Sequence, residues 1–588
     1  MLGAAPPRPS TIVGMSPGRG WVAAGWFGLL AFTILAFHAT GRLHGNFALD
    51  YAGLRNLPHM ELVFWAWFAF YGTLAAVFGT LAWRATPLPA ALGRLADRVP
   101  AAETRWLVIG ATVVVVAALG IRHGVMLGEP VTDDELAYRF IARTLLSGRL
   151  VNPPPIDPDF LSNQFLIATP AQWYGKYPIG HPALLALGEA VRAPSVVVPL
   201  VSAACLFLTA LIGRRWFDSR TGLVGALLLL ISPQFLFTAA TDLSQPTEML
   251  CLLVALWATL HLGDDARLSW AALAGLAAGA AILVRPLPGG LFALVIAAQW
   301  LRAGWPGSPT PGAVRLRLSH LLLAGFGLLL GAAGVLLVNL AQTGDPFRSG
   351  YQEVHANVVA PLTIAEVAAS FGGALMRQNF WLFGWPVSLL FVAGARPRSP
   401  GGLFWGVLGA AYAYRVLVPK TVVSTTGPVY VMEIVPLLAL GTAAGLTRVS
   451  HVLRACRVTD AREWIASGLL AGCVVMLTLF LPAHVAGIRR GAQERRSVMA
   501  ALEREAPGER VVVFATYLAD PQTRATWAYA PPNPWPDLRD DVLFLRWPKG
   551  PDALPRIQQL LTRFQDRKAF AFASQGGQPR LVPVPREQ

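Results

Sequence analysis

The chain has 588 residues, 54% of them hydrophobic and only 14% charged, with a mean hydropathy of +0.49. That balance excludes a soluble multidomain protein and places the chain with polytopic membrane proteins. The formal net charge of +15 is split among short loops with no basic patch interleaved with aromatics, so nucleic acid is not an expected partner.

A bilayer core needs about twenty apolar residues per helix, and the sequence predicts about thirteen spans. They fall near 21–40, 61–83, 105–121, 192–213, 221–239, 247–262, 269–284, 287–301, 319–340, 380–394, 402–417, 428–446 and 464–484. Arg8 and Arg19 precede the first, which is too long for a signal peptide and is read as a retained helix. Alternate loops are basic, with Arg84, Arg94, Arg98, Arg214, Arg215, Arg396, Arg398, Arg448 and Arg454 among them. The positive-inside rule then puts the N-terminus in the cytoplasm and the C-terminus outside. Cys205, Cys251 and Cys473 lie in apolar spans and Cys456 in a basic loop, which is neither a disulfide framework nor zinc spacing.

The third span leads into Val131–Leu150, VTDDELAYRFIARTLLSGRL. Three adjacent carboxylates, Asp133, Asp134 and Glu135, cannot sit in hydrocarbon. Thr132 is a suitable N-cap, and the acids fall in the first helical turn, where the helix dipole favours them. Leu136, Phe140 and Leu145 recur near helical spacing and Glu135 lies four residues before Arg139, so an amphipathic helix on the membrane surface is expected. The acids are either a dipole-matched helix start or a catalytic cluster. The proline-rich stretch to Pro182 is a loop, in which Lys176 and His181 flank Tyr177-Pro178-Ile179-Gly180 and either face an anion or anchor at the interface.

Further along, TDLSQPTE brings Asp242, Gln245 and Glu248 to the acidic end, with Asp242 and Glu248 as candidates for acceptor or metal contacts. Arg285 sits at the same end against the positive-inside trend, which calls for a lipid phosphate or ordinary headgroups. The loop after 340 carries Arg348, Tyr351, His355 and, further on, Arg377, and its length and mixed polarity suggest a lid. Glu433, near a helix end, calls for an ion-pair or functional role. Beyond 486 a polar helix is followed by strand-like RVVVFAT, VLFLR, KAFAFAS and RLVPV, with a helix near 552–566.

Asp134-Glu135, followed by Tyr138 and a helix that ends at Gly148, resembles the first external loop of the GT-C glycosyltransferases. Their family-39 group includes protein O-mannosyltransferases and lipid A aminoarabinose transferases. Tyr177-Pro178-Ile179-Gly180 resembles a Tyr-Pro-Pro-Gly turn of that group. Ser349-Gly350-Tyr351 and Gly427-Pro428-Val429-Tyr430 resemble two of its loops. Ser244-Gln245-Pro246 stands where relatives often carry Ser-His-Pro, and the missing His weakens a metal or acid role there. The resemblance implies Asp134 as catalytic base, with Glu135 or Asp133 holding it or binding a divalent cation with it. It also implies a polyprenyl-phosphate-sugar donor, its phosphate facing Arg285 and Lys176, and an acceptor glycan, lipid or protein.

The expected architecture is therefore a polytopic α-helical membrane protein of GT-C type. Residues 1–104 hold a tail and an extra hairpin, 105–485 the catalytic unit with its acidic loop 122–182, and 486–588 a small extracytoplasmic α/β domain. No cofactor is certain, and no His or Cys spacing indicates a metal. A bacterial plasma membrane is the expected location. A flippase of lipid-linked glycans is the rival reading, although no second copy of the acidic or proline-rich segments is evident.

Overall fold

The computed structural model describes residues 58–98, 103–155, 157–161, 165–265, 267–304, 316–355, 363–418, 426–515, 535–548, 550–575 and 578–586, with Gly25 and Gly28. Apart from those two glycines, the expected first span at 21–40 lies outside the described residues, as do Arg8, Arg19 and the centre of the expected lid at 356–362.

Helices form where hydropathy calls for them. α1 (Pro58–Arg84), α2 (Leu88–Arg98) and α3 (Glu103–Gly124) lead to α4 (Asp133–Leu146), and a loop carries the chain to α5 (Gly180–Ala190). Then come α6 (Val197–Trp216), α7 (Ser219–Leu228), α8 (Pro233–Ala239), α9 (Gln245–Asp264), α10 (Leu268–Val284), α11 (Pro286–Gly304) and α12 (Leu318–Thr343). α13 (Ile364–Phe383), α14 (Gly401–Leu417), α15 (Val435–Ala455), α16 (Ala461–Val475) and α17 (Leu481–Glu505) complete the bundle. The chain is a polytopic helical membrane protein. Among the described residues five helical runs are long and apolar enough to cross a bilayer: Glu103–Gly124, Pro194–Trp216, Gln245–Asp264, Leu318–Thr343 and Ala461–Glu505. Ser219–Ile231 and Pro233–Ala239 add a sixth if counted as one span bent by 66°. The bend has a chemical cause: Pro233 has no N–H to continue the ladder, and Ser232 Oγ caps the new helix by accepting from Phe235 N–H at 3.3 Å. The stretch at 380–394 is not one helix: α13 stops at Gly384 (φ +64), and a 3₁₀ segment covers 388–394.

Small residues let α10 and α12 touch backbone to backbone. A Cβ at Gly275 would lie 2.2 Å from Ala324 O, and one at Gly331 would lie 2.0 Å from Gly279 O. Two glycine pairs four residues apart, Gly275 and Gly279 against Gly327 and Gly331, make this the small-xxx-small contact that apolar helices use in lipid.

Above one end of the bundle lies a second layer. Strands β1 (Leu166–Ala168) and β2 (Trp173–Gly175) form an antiparallel hairpin within the loop after α4. β3 (Val511–Ala515), β4 (Val542–Arg546), β5 (Lys568–Gln575) and β6 (Gln578–Pro583) form a sheet of order β4-β3-β5-β6, with β3 parallel to both neighbours and β6 antiparallel. Helix α18 (Ala553–Leu561) connects β4 to β5. These strands and this helix stand where alternation and length placed them. The two faces of β3 serve different cores, because side chains alternate along a strand. Val511 and Val513 pack with Val498 and Leu502 of α17. Val512 and Phe514 join Tyr138, Phe140 and Ile141 of α4 and Phe160 of the loop. Arg556 of α18 adds contacts to Asp157 (2.6 Å) and Asp159 (2.8 Å).

One expectation is corrected here. α4 does not offer its apolar face to lipid: Glu135 to Tyr138, Phe140 to Ala142 and Thr144 are all buried within the protein. Its polar face is covered by neighbouring protein that supplies partners for its charges.

Candidate functional site

Thr132, in an extended conformation (φ −137, ψ 155), caps α4. Glu135 turns back toward the helix start, where its Oε1 accepts the N–H groups of Val131 (2.8 Å) and Thr132 (3.1 Å). Its Oε2 accepts the N–H of Asp242 at 2.9 Å. Burial and the nearby Asp242 charge push the Glu135 carboxyl up in pKa, against the pull of these N–H groups and Arg122. Both oxygens are thus engaged with backbone, and Glu135 ties the acidic turn to the 240–244 loop. The pair expected between Glu135 and Arg139 does not form. Arg139 instead reaches Asp242 Oδ2 at 2.6 Å.

Asp242 also takes a two-pronged contact from Arg122, at 2.8 and 2.9 Å. Burial alone would raise its pKa, but Arg139 and Arg122 more than offset this and hold it at about 2. Expected as an acceptor or metal contact, Asp242 is fully buried with both oxygens taken by guanidiniums. His181 is likewise turned inward. Its Nε2 faces the Asp242 carbonyl oxygen at 2.8 Å and must donate there, so Nδ1 accepts from Thr247 Oγ1 at 2.8 Å. Burial lowers its pKa to about 4, so the ring is neutral and braces the loop rather than facing an anion.

Asp134 is differently placed. It is only half-buried, and the Tyr177 hydroxyl donates to its Oδ1. Burial and the Asp134 charge raise the Tyr177 pKa well above the ordinary phenol value, so the hydroxyl stays a donor. Tyr177 packs against Tyr138 (centroids 4.5 Å apart) and Tyr351 (5.6 Å). Asp133 sits beside Arg495 at 3.8 Å, and burial raises its carboxyl pKa despite that cation.

Lys176 completes this cluster. Its ammonium is boxed by the rings of Phe165 (3.5 Å), Tyr177 (4.8 Å) and Tyr351 (5.6 Å). It is 5% exposed and, among the described residues, has no carboxylate in ion-pair contact. Burial lowers its pKa to about 8, with Asp134 and Asp133 only partly opposing. Glycines permit the approach of the surrounding chain: a Cβ at Gly350 would lie 2.6 Å from Lys176 Cα, and one at Gly180 2.8 Å from the backbone of Leu283. The tight turn at Gly180 therefore sits against the end of α10, next to Arg285.

Arg285 is buried and caged. Its Nη1 lies 3.0 Å from Glu248 Oε2 and contacts Glu433 Oε1. Its guanidinium faces the rings of Tyr430 (5.7 Å) and Tyr414 (5.9 Å). Glu433 thus makes the ion pair that its place at a helix end calls for, and Glu248 shares it. The second oxygens, Glu248 Oε1 and Glu433 Oε2, are buried without hydrogen-bond partners. Among the described residues no three His, Cys, Asp or Glu side chains converge as a metal-holding group. Sequence reasoning missed Arg122 and Tyr414, and named Tyr430 only as part of the Gly427–Tyr430 loop. Arg122 had a signal: like Arg285, it is an arginine at the acidic end of an apolar span.

Residues 184–331 match a family described as dolichyl-phosphate-mannose-protein mannosyltransferase. Against curated proteins the sequence finds no significant match. The fold is similar to that of ArnT from Cupriavidus metallidurans bound to undecaprenyl phosphate, with a TM-score of 0.51, 16% identity, and coverage of 80% of this chain and 93% of that one. Weaker likeness extends to the Archaeoglobus fulgidus oligosaccharyltransferase tethered with an acceptor peptide (TM-score 0.39, 12% identity, 80% and 69% covered). It extends also to arabinosyltransferase EmbB from Mycobacterium smegmatis (0.37, 16%, 75% and 45%). With the acidic helix start, the Tyr177–Gly180 turn and the bundle beneath them, the match at 184–331 and the likeness to ArnT make the chain a helical membrane protein of the GT-C fold, similar to the family-39 glycosyltransferases.

Proposed function

We propose that this protein transfers a sugar from a polyprenyl-phosphate-linked donor to an acceptor hydroxyl, with Asp134 as the general base. The observation that carries the proposal is Asp134 and the unpaired ammonium of Lys176 meeting the same side chain, Tyr177, one at its hydroxyl and the other at its ring. A carboxylate held by one oxygen, with the other open, suits removal of a hydroxyl proton. A buried cation without a carboxylate suits an incoming phosphate.

In the proposed step the acceptor oxygen bonds to the anomeric carbon as the bond to the phosphate oxygen breaks. The hydroxyl proton passes to Asp134, and the electron pair leaves with the polyprenyl phosphate. Attack opposite the leaving group inverts the anomeric centre. Tyr177 positions Asp134, and Glu135 holds the turn that carries Asp134. Lys176 is the first contact for the phosphate. Arg285 adds a second only when the phosphate replaces one of its two carboxylates, Glu248 or Glu433. ArnT, whose fold this chain shares, was solved with undecaprenyl phosphate, which supports a lipid-linked donor here. The positive-inside pattern supports an extracytoplasmic position for this site, where nucleotide sugars are lacking, and a bacterial plasma membrane belongs to the same reading.

The test uses purified full-length protein and a radiolabelled polyprenyl-phospho-sugar. Asp134→Asn is expected to lose transfer and keep donor binding, and Lys176→Ala to lose donor binding. Transfer retained by Asp134→Asn removes that carboxylate from the mechanism.

A further inference from the structure

The far end of the helix core carries a second concave site that the proposed chemistry leaves unused. α15 begins two residues after Glu433 and runs to Ala455. At a rise of 1.5 Å per residue its last turn lies roughly 30 Å from Glu433 and the acidic end of the bundle. There a cleft of about 600 Å³ opens between α15, the turn from α6 to α7 and the segment after α13. Arg396, Arg398 and Arg448 line it. The one acid on its wall, Asp218, is already committed: it caps α7, accepting from Thr221 N–H at 2.9 Å and Thr221 Oγ1 at 2.7 Å. Among the described residues none of the three arginines has a carboxylate partner.

The wall is fixed by backbone. Arg398 N–H donates to Trp216 O at 2.7 Å. Gly445 of α15 is so close to Phe391 O that a Cβ there would lie 1.8 Å from it. Beside the charges Val452 lines the cleft at 54% exposure, and Val449 is 36% exposed. Three cations held together without a counter-ion form a strong local positive field. An apolar rim beside that field, in a chain that spans a membrane, matches one kind of anion best.

We propose that this cleft binds the headgroup of an anionic phospholipid, Arg396, Arg398 and Arg448 gripping phosphate oxygens while the acyl chains follow the apolar surface at Val449 and Val452. The site is distinct from the donor site and holds the lipid at the opposite face of the bilayer.

The test is native mass spectrometry of the full chain in detergent, titrated with cardiolipin and, in parallel, with phosphatidylcholine and with inorganic phosphate. Cardiolipin is expected to bind preferentially, and Arg398→Ala/Arg448→Ala to weaken it by about tenfold or more. Arg454→Ala/Arg457→Ala removes the same charge from the same end of α15 outside the cleft, and is expected to change binding by less than about twofold. If the double alanine variant folds poorly, Arg398→Gln/Arg448→Gln carries the same comparison. Equal loss in the control pair overturns the site in favour of a general surface field. Phosphatidylcholine bound as well as cardiolipin, or inorganic phosphate competing at similar concentration, overturns the lipid assignment.

Discussion

Tyr177 donates its hydroxyl proton to Oδ1 of Asp134 across 43 residues of chain. The carboxylate that leads α4 is thereby fixed by the turn that leads α5. In Tyr177→Phe the ring packing against Tyr138 and Tyr351 survives and only the hydrogen bond goes. Transfer is expected to slow by about tenfold to a hundredfold in kcat, with little change in donor KM, because a misplaced catalytic group costs rate more than binding. An unchanged kcat would show that Asp134 needs no such guide.

Lys176 sets a pH limit. With the ammonium at about 8 in the free protein, kcat/KM for the donor is expected to fall as pH rises through about 8, since kcat/KM reports groups of the free enzyme. Lys176→Arg keeps its charge and should lose that limb. Stability has the opposite slope. Between about 8 and the ordinary value of 10.5 the unfolded chain holds a proton that the folded one has lost, so stability without donor rises with pH there. A flat kcat/KM profile from pH 7 to 10 would place the phosphate elsewhere.

Asp242 is expected to be structural. Asp242→Asn leaves Arg122 buried opposite a neutral amide and should cost about 3–5 kcal/mol in unfolding experiments. Arg139 and Arg122 hold this carboxylate at about 2, against burial, below its ordinary 3.8. Its stabilisation is therefore complete above pH about 4 and is lost as pH falls toward 2. Calcium or magnesium should not restore the variant; if either does, Asp242 is a metal ligand after all.

The α10–α12 contact gives a paired comparison within one helix. Gly331→Ala puts a methyl 2.0 Å from Gly279 O, whereas Gly325 has open space within 4 Å. Gly331→Ala should lower stability by about 1–3 kcal/mol or more, and Gly325→Ala should leave it unchanged or slightly raised. Thermal unfolding in detergent reads both, and equal melting temperatures would mean that the helices do not meet at these glycines.

Local pattern carried much of this into the sequence. Strands β3 and β4 follow from short apolar runs and β5 and β6 from alternating ones, and the acidic turn of α4 follows from three carboxylates that lipid cannot hold. What stayed hidden depends on distant partners. Arg285 read as a free phosphate ligand because Glu248 and Glu433, 37 and 148 positions away, show no spacing that ties them to it. α4 read as a surface helix because the strands that cover it are far along the chain. Asp242 looked available because its arginines come from two other helices. The span at 221–239 was legible from its hydropathy, but its 66° turn at Ser232-Pro233 was not.

The shared core of α4 and β3 has a bearing on synthesis. Arg556 meets Asp157 across 399 positions, so a ribosome has the whole bundle behind it before the covering strands emerge. Until then Phe140, Ile141 and Phe160 have no lid from that sheet, and contacts of such long range close slowly. The layer above the bundle is thus closed last, and an unfinished polypeptide would hold its carboxylates in place while the apolar side of the same helix stayed open to water.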